Sequence, residues 1–471
     1  MGKNPKKNGK KTYLHLMFTI KKALCLHTII SIINMGQRSI FDDIVVVGEK
    51  VEERIVYNPI ASKAATFKSG TQKKIHSWFR LTPSFGPGLV DIMLEKLNHQ
   101  DGEVVLDPFG GASTTLIQCR LNGINSIGFE INPLLHFVGK TSLNWSLDPF
   151  ILQTSMILIE NLYQSFSNEF KEKDIEECGF EIPKIHNVYR WWRKDVLKEL
   201  LILKHIIKSS DFEQSYKDFL LLGLAGVLVP DLTNVTLGKL QLHFINRDND
   251  DIKVFLSYKK HILMMIDDLK ALRLENGHEN TAATLYYTDT TDIEHINVSN
   301  KVNVVITSPP YPNRYSYVWN TRPHLYFLDI FENPKQASNL DCKTIGGTWG
   351  VATSNLMKGV IEPLYPIINQ VVEPVVNKIR QTDNLMANYV MKYFNLLAKQ
   401  IIEMEKVAAE NIRVAYVVGN SEIKGVYVET DVLLGKIFEG LDIGYHVTEI
   451  TRFRKRNSGV DLYESIVYAS K

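Results

Sequence analysis

The chain has 471 residues, of which 45% are hydrophobic and 23% charged, the composition of a globular protein of two or three domains. A formal net charge of +2 excludes a uniformly basic surface, so a polyanionic partner would have to meet a local patch. The four cysteines (Cys25, Cys119, Cys178 and Cys342) are scattered without C-x-x-C spacing, which argues for a reducing, cytoplasmic compartment and against structural zinc; no metal site is expected.

Five lysines between Lys3 and Lys11 precede an apolar run from Thr12 to Met35. Lys21, Lys22 and two histidines interrupt that run, which argues against a membrane span, and no small-residue cleavage site follows it. Residues 1–67 are therefore read as a partly disordered extension, with Met35 as an alternative start. From Lys68 to Arg80 the chain is basic and aromatic, and Leu89 to Leu94 form an amphipathic helix after the turn Ser84-Phe85-Gly86-Pro87.

Val104-Val105-Leu106-Asp107-Pro108-Phe109-Gly110-Gly111-Ala112-Ser113-Thr114-Thr115 reads as a buried strand, an acidic residue, a glycine turn and a helix start. The glycines let backbone approach a ligand, and the helix N-terminus adds partial positive charge. Ser126 to Glu130 is a second strand ending in a carboxylate about 20 residues after the turn, the spacing at which an acid meets ribose hydroxyls in nucleotide-binding α/β units. Asp107 and Glu130 are accordingly expected at the ends of adjacent strands, around one ligand.

Residues 150–280 read as mostly helical. The pair Trp191-Trp192, flanked by Arg190 and Arg193, either anchors a helix to a core or stacks on nucleic acid. The segment from Pro230 to Lys239 is turn-rich and polar, a loop projecting from helices, and a final helix is expected over 251–274.

Leu285 to Asp289 is a strand ending in a carboxylate. Asn303 to Ile306 is almost wholly β-branched and apolar, a strand buried in a parallel sheet. Thr307-Ser308-Pro309-Pro310-Tyr311 stops it, because neither proline can continue a ladder. The resulting rigid loop offers a hydroxyl at Ser308, a carbonyl at Pro309 and a ring at Tyr311. Together these suit a planar base bearing an exocyclic amino group. Asn313 to Arg322, with Arg314 among its hydrogen-bonding side chains, continues beside that pocket. Lys343 to Gly350 is glycine-rich and reads as a flexible loop, a candidate for contact with a nucleic acid. A long helix over 383–410, a strand over 413–418 ending in Gly419-Asn420-Ser421, a helix over 430–441, and strands over 445–453 and 464–469 complete the pattern. Arg314 is expected to bind nucleic acid, and the basic cluster Arg452, Arg454, Lys455 and Arg456 to meet phosphates.

The motifs D-P-F-G-G-A-S-T-T, G-F-E-I-N-P and T-S-P-P-Y resemble those of the S-adenosylmethionine-dependent DNA amino-methyltransferases, over residues 75–145 and 284–456. The resemblance implies a Rossmann-like α/β fold with a seven-stranded methyltransferase sheet and a mostly helical insertion. It divides the chain into a first catalytic part (68–149), an insertion that is a candidate for target recognition (150–280) and a second catalytic part (281–471). It implies S-adenosylmethionine as cofactor, held by Asp107, Pro108, Phe109, Gly110, Gly111, Thr114, Glu130 and Asp289. Asp107 is assigned the methionine amino group, Glu130 the ribose hydroxyls and Asp289 the adenine amino group, with the segment before D-P-F closing over the methionine end. Ser308, Pro309, Pro310 and Tyr311 become the catalytic loop. Double-stranded DNA becomes the substrate, with a cognate restriction endonuclease as the associated partner. Serine before Pro-Pro-Tyr is the usual form in cytosine-N4 enzymes and aspartate in adenine-N6 enzymes, so cytosine N4 is favoured. An adenine-N6 or RNA-base methyltransferase of the same fold, and a nucleic-acid-binding protein without catalysis, are the alternatives. Ser113 stands where the family usually has glycine, and a side chain there is expected to crowd the cofactor.

Overall fold

The computed structural model describes residues 50–60, 65–82, 84–238, 241–275, 280–298, 300–347, 350–458 and 460–471. Residues 1–49 of the expected extension, the start at Met35 among them, lie outside the described residues. Residues 51–471 form one compact unit. Among the described residues no helix is long and apolar enough to cross a membrane, and no group of His, Cys, Asp and Glu could hold a metal ion.

A mostly parallel sheet of eight strands carries the fold, in the order β1-β11-β12-β8-β7-β2-β3-β6. Its strands are β1 (Ile55–Tyr57), β2 (Val105–Asp107), β3 (Ser126–Glu130), β6 (Ala283–Tyr287), β7 (Val302–Thr307), β8 (Ala408–Gly419), β11 (His446–Ser458) and β12 (Val460–Ser470). Only β12 runs against its neighbours, pairing antiparallel with both β8 and β11. The near-continuous apolar runs of β2 and β7 follow from burial on both faces by helices. Seven of the strands make the expected sheet. The eighth, β1, comes from the segment read as an extension. It lies parallel on β11, pairing Ile55 with Ile450, and its three residues are too few for a periodic signal.

Helices α1 (Pro87–Lys96), α2 (Thr114–Leu121) and α3 (Pro133–Ser142) belong to the first part of the sheet. Next come α4 (Pro149–Glu169), α5 (Val188–Trp191), α6 (Lys194–Ser209), α7 (Gln214–Val227) and α8 (Val254–Leu274). The turn-rich segment after Pro230 is a small hairpin, β4 (Val235–Leu237) with β5 (Leu242–Phe244). After β7 come α9 (Tyr317–Phe327), α10 (Pro334–Lys343), α11 (Val351–Leu356), α12 (Pro366–Val371), α13 (Glu373–Arg380) and α14 (Asn384–Met404). The hairpin β9 (Ser421–Ile423) with β10 (Val426–Val428) leads to α15 (Thr430–Gly440).

The tryptophan pair resolves as an anchor. Trp192 is fully buried among the leucines of α6 and near Phe327, and Trp191 is buried against Phe244 of the hairpin. Trp78 and Phe79 are buried as well; Asp268 of α8 accepts from Trp78 Nε1 and from the Ile75 amide, both at 2.9 Å. A ring of this size without solvent exposure carries a large share of local stability. Trp192→Ala should therefore destabilise the protein by about 3–5 kcal/mol in urea denaturation. A loss below about 1 kcal/mol would return the pair to a surface role.

Candidate functional site

The strand order places the site. From β2 the chain proceeds through β3 and β6 toward one edge, and through β7 and β8 toward the other. The order reverses at β2, and in open α/β sheets a crevice opens beyond the carboxyl ends of the strands at such a point. Asp107 ends β2, and Thr307 ends β7 beside it. Thr307 Oγ1 donates to Asp107 Oδ1 at 2.6 Å, and the Phe109 amide donates to the same oxygen at 3.0 Å. Asp107 is fully buried, and that burial raises its pKa against the opposing pull of these bonds.

Glu130 ends β3, next to β2. Its Oε2 accepts from the Gly111 amide at 2.7 Å and its Oε1 from the Asn132 amide at 2.7 Å. Asn132 in turn caps α3, its Oδ1 accepting from the Leu134 amide. The carboxylate of Glu130 thus fixes the glycine turn from below. Burial pushes its pKa up to about 7 despite the two amide bonds.

A cleft of about 870 Å³ gathers Asp107, Pro108, Phe109, Gly110, Gly111, Thr114, Glu130, Asp289 and Ser308 along one wall or another. Pro310 and Tyr317 also line it, as do Leu81, Ser84 and Phe85 from the segment before the first motif. Asp289 Oδ1 accepts from the amide and hydroxyl of Thr291, at 2.9 and 2.8 Å. Pro309 is buried behind the loop and Tyr311 is half-buried at its exit; neither is among the lining residues.

The glycine-rich segment after α10 begins at the cleft. Lys343, Thr344 and Ile345 line the cleft. Gly346 (φ +85°) packs at the catalytic loop, where an added Cβ would sit 3.6 Å from Pro310 and 3.8 Å from the Tyr311 carbonyl. Thr348 and Trp349 lie outside the described residues. Thr307 and Lys343–Ile345 were not marked as site residues by the motifs. A polar residue closing an apolar strand is the only signal for Thr307, and lysine-threonine-isoleucine carries none.

The basic cluster is also arranged differently. Arg452 is buried, its Nε donating to Asp431 Oδ2 at 2.8 Å and one terminal nitrogen to Glu429 at 3.0 Å. Arg454 is paired with Glu464 and Lys455 with Asp461, both at 2.5 Å. Their charges are answered across the β11–β12 ladder, because the partner strand supplies acids opposite the bases. The side chain of Arg456 lies outside the described residues. Arg314, by contrast, is exposed, with only its amide held, by Tyr389 Oη at 3.1 Å.

Ser113 does not crowd the cleft. It caps α2 at φ +63°, fully buried, and its side chain points to α3. A Cβ built on Gly139 would come within 2.1 Å of Ser113 Oγ, so the missing side chain at 139 makes the room that Ser113 occupies. The hydroxyl finds no hydrogen-bond partner.

A parallel sheet with its reversal at a glycine turn, two buried carboxylates at adjacent strand ends and a proline-stopped loop over the same cleft define a nucleotide-cofactor α/β enzyme class. Residues 67–136 match the family model described as DNA methylase, of the N6/N4 type. The chain is 25% identical over 311 residues to Type II methyltransferase M.BsoBI of Geobacillus stearothermophilus, covering 60% of this chain and 57% of that one. It is 26% identical over 199 residues to Type II methyltransferase M.MjaII of Methanocaldococcus jannaschii, covering 36% and 35%. The chain thus spans little more than half the length of the first of these relatives and about a third of the second. TrmN from Thermus thermophilus is a remote structural likeness, at 8% identity and a TM-score of 0.29 over 87% of this chain and 53% of that one. The sequence matches support an amino-methyltransferase of the N6/N4 DNA type, a family that implies S-adenosylmethionine as methyl donor. The residues present fit that group: buried carboxylates for its hydroxyl and ammonium donors, and a glycine turn that brings backbone to the edge of the cleft.

Ser113 combines a left-handed backbone with an unpaired buried hydroxyl, each costing about 1–2 kcal/mol in a non-glycine residue. Ser113→Gly should raise stability by about 1 kcal/mol, after the entropy that glycine loses on folding. An unfolding midpoint that stays or falls in this variant would show that the hydroxyl is satisfied.

Proposed function

We propose that this protein transfers a methyl group from S-adenosylmethionine to the exocyclic amino group of a base flipped out of duplex DNA, with cytosine N4 as the favoured target. The observation that carries the reading is the single cleft shared by Asp107, Glu130 and Ser308, from three different strand ends. Bound there, the cofactor supplies an electrophilic methyl on a sulfonium. Asp107 takes the ammonium, Glu130 the two ribose hydroxyls and Asp289 the adenine amino group, with Pro108, Phe109, Gly110, Gly111 and Thr114 forming the floor. Leu81, Ser84 and Phe85 exclude water from the end next to the turn.

The amino nitrogen of the base is a poor nucleophile because its lone pair is delocalised. Ser308 Oγ and the Pro309 carbonyl accept its two N–H bonds and turn the lone pair out of the ring. As positive charge develops on nitrogen the same acceptors strengthen, which is binding specific to the transition state. Tyr311 offers the flipped base a face to stack on. Pro309 and Pro310 keep these acceptors rigid, and Gly346 buttresses them. Serine rather than aspartate at position 308 favours cytosine over adenine. The Type II names of the relatives extend the reading to a modification enzyme, one that works in the cytoplasm beside a cognate endonuclease of the same specificity.

Ser308→Ala should lower kcat by 10²-fold or more while leaving cofactor affinity nearly intact, since it removes an interaction made in the transition state. Mass spectrometry of nucleosides from DNA treated with the purified protein should find N4-methylcytosine. N6-methyladenine alone would reverse the choice of base and keep the mechanism.

Glu130 gives a pH signature. Ribose hydroxyls donate to its charged form, whereas burial holds its pKa near 7. Below that pH the carboxyl is protonated and must lose its proton to accept both hydroxyls. Cofactor affinity should therefore climb as pH rises from about 5 to 7 and level off above, as measured by calorimetry. Glu130→Gln should flatten this dependence and weaken binding at least tenfold at pH 8, about 1.4 kcal/mol. An unchanged affinity in the folded variant would remove Glu130 from the site.

A further inference from the structure

We infer that the guanidinium groups of Arg190, Arg314 and Arg322 form the surface that meets the phosphates of duplex DNA, in place of the β11 cluster; this rests on the function proposed above. The described basic side chains of the β11 cluster, Arg452, Arg454 and Lys455, are paired with acids on the same ladder or on α15. The three arginines are not. Among the described residues none of them meets a carboxylate. Asp341, whose charge reaches Arg322, instead accepts from Ser316 Oγ at 3.0 Å.

Arg190 and Arg322 are joined by a ladder of rings. Arg322 lies over Trp319, both on α9, at 4.6 Å from the ring centre. Trp319 meets Trp191 edge-on at 6.4 Å, and Trp191 meets Phe244 of the β4–β5 hairpin at 4.9 Å. Arg190 closes the ladder, its guanidinium 3.9 Å from the centre of the Phe244 ring. Stacking on a ring face leaves the in-plane N–H donors free and restricts the side chain in advance, so less entropy is lost when a phosphate binds. Arg314 stands three residues beyond Tyr311, its backbone pinned by Tyr389. Tyr317, at the first turn of α9, lines the cleft itself. The first turn of α9 therefore lies at the cleft, and the ladder runs from the same helix to the hairpin. The helical region is thus joined to α9 through aromatic contacts, with a cation at each end.

Each phosphate contact lowers the slope of log affinity against log salt by about 0.9. Fluorescence anisotropy with a long mixed-sequence DNA duplex, titrated at several salt concentrations, reads that slope. The Arg190→Gln/Arg314→Gln/Arg322→Gln protein should lose roughly 2–3 from its magnitude, and Arg190→Gln or Arg314→Gln alone about 1 each. Cofactor titration by calorimetry should be unchanged in all of them, which separates a lost surface from a lost fold. A triple variant that keeps the wild-type slope, or an Arg454→Gln/Lys455→Gln protein that loses it instead, overturns the assignment and leaves the methyltransferase reading intact. A wild-type protein that binds and methylates no duplex DNA overturns both.

Discussion

The hydrogen bond from Thr307 to Asp107 is the constraint on which the site depends. It joins the ends of two neighbouring strands whose loops, on the proposed function, have separate tasks, one facing the cofactor and the other the base. At 2.6 Å and fully buried, it is a charge-assisted bond in a region from which water is excluded. Losing the donor would leave a buried carboxylate one partner short, a penalty of roughly 1–3 kcal/mol or more. The larger consequence is geometric. The two loops are held in one register by this bond, and transfer between a bound cofactor and a bound base is sensitive to that register.

The rest of the site extends the same device. Glu130 holds the Gly111 amide and the start of α3, so the glycine turn is fixed by a carboxylate that also lines the cleft. Two acids are thereby buried at adjacent strand ends, each raised by desolvation, and Asp107 adds a further upward push on Glu130. Such a pair is unfavourable in the empty protein. On the proposed function, a ligand bearing an ammonium group and two hydroxyl donors would relieve both acids at once and select for that donor pattern.

Much of this was legible in the sequence because it is local. A β-branched run stopped by two prolines, and a strand closed by an acid and two glycines, announce themselves within ten residues. The antiparallel pair at the end of the chain was legible for the same reason. What escaped depended on partners far away. The room for Ser113 is made by Gly139, and nothing near residue 113 reveals it. The strand β1 has three residues and is recognisable only by its pairing with β11. Arg452, Arg454 and Lys455 form a basic cluster on paper, but the opposite strand and α15 carry the acids that cancel it. Trp191 and Trp192 admitted two readings until burial chose between them.

The near-neutral charge of the chain acquires a meaning from these pairings. With 54 basic and 52 acidic residues, most cations can be matched locally, and the net excess says nothing about where a polyanion would bind. What distinguishes one surface from another is which cations have been left unmatched. On β11 the matching is nearly complete. At Arg190 on α5 and Arg322 on α9 no carboxylate among the described residues is in contact, and aromatic rings lie beneath the guanidinium groups instead. A ring stabilises a cation without cancelling its charge, so it can orient an arginine while leaving the field outside intact. Acids at the same positions would hold the side chains as firmly and extinguish the attraction. The substitution of rings for acids next to the cleft mouth is therefore a choice between two ways of ordering arginine, and only one of them leaves a surface for a phosphate backbone.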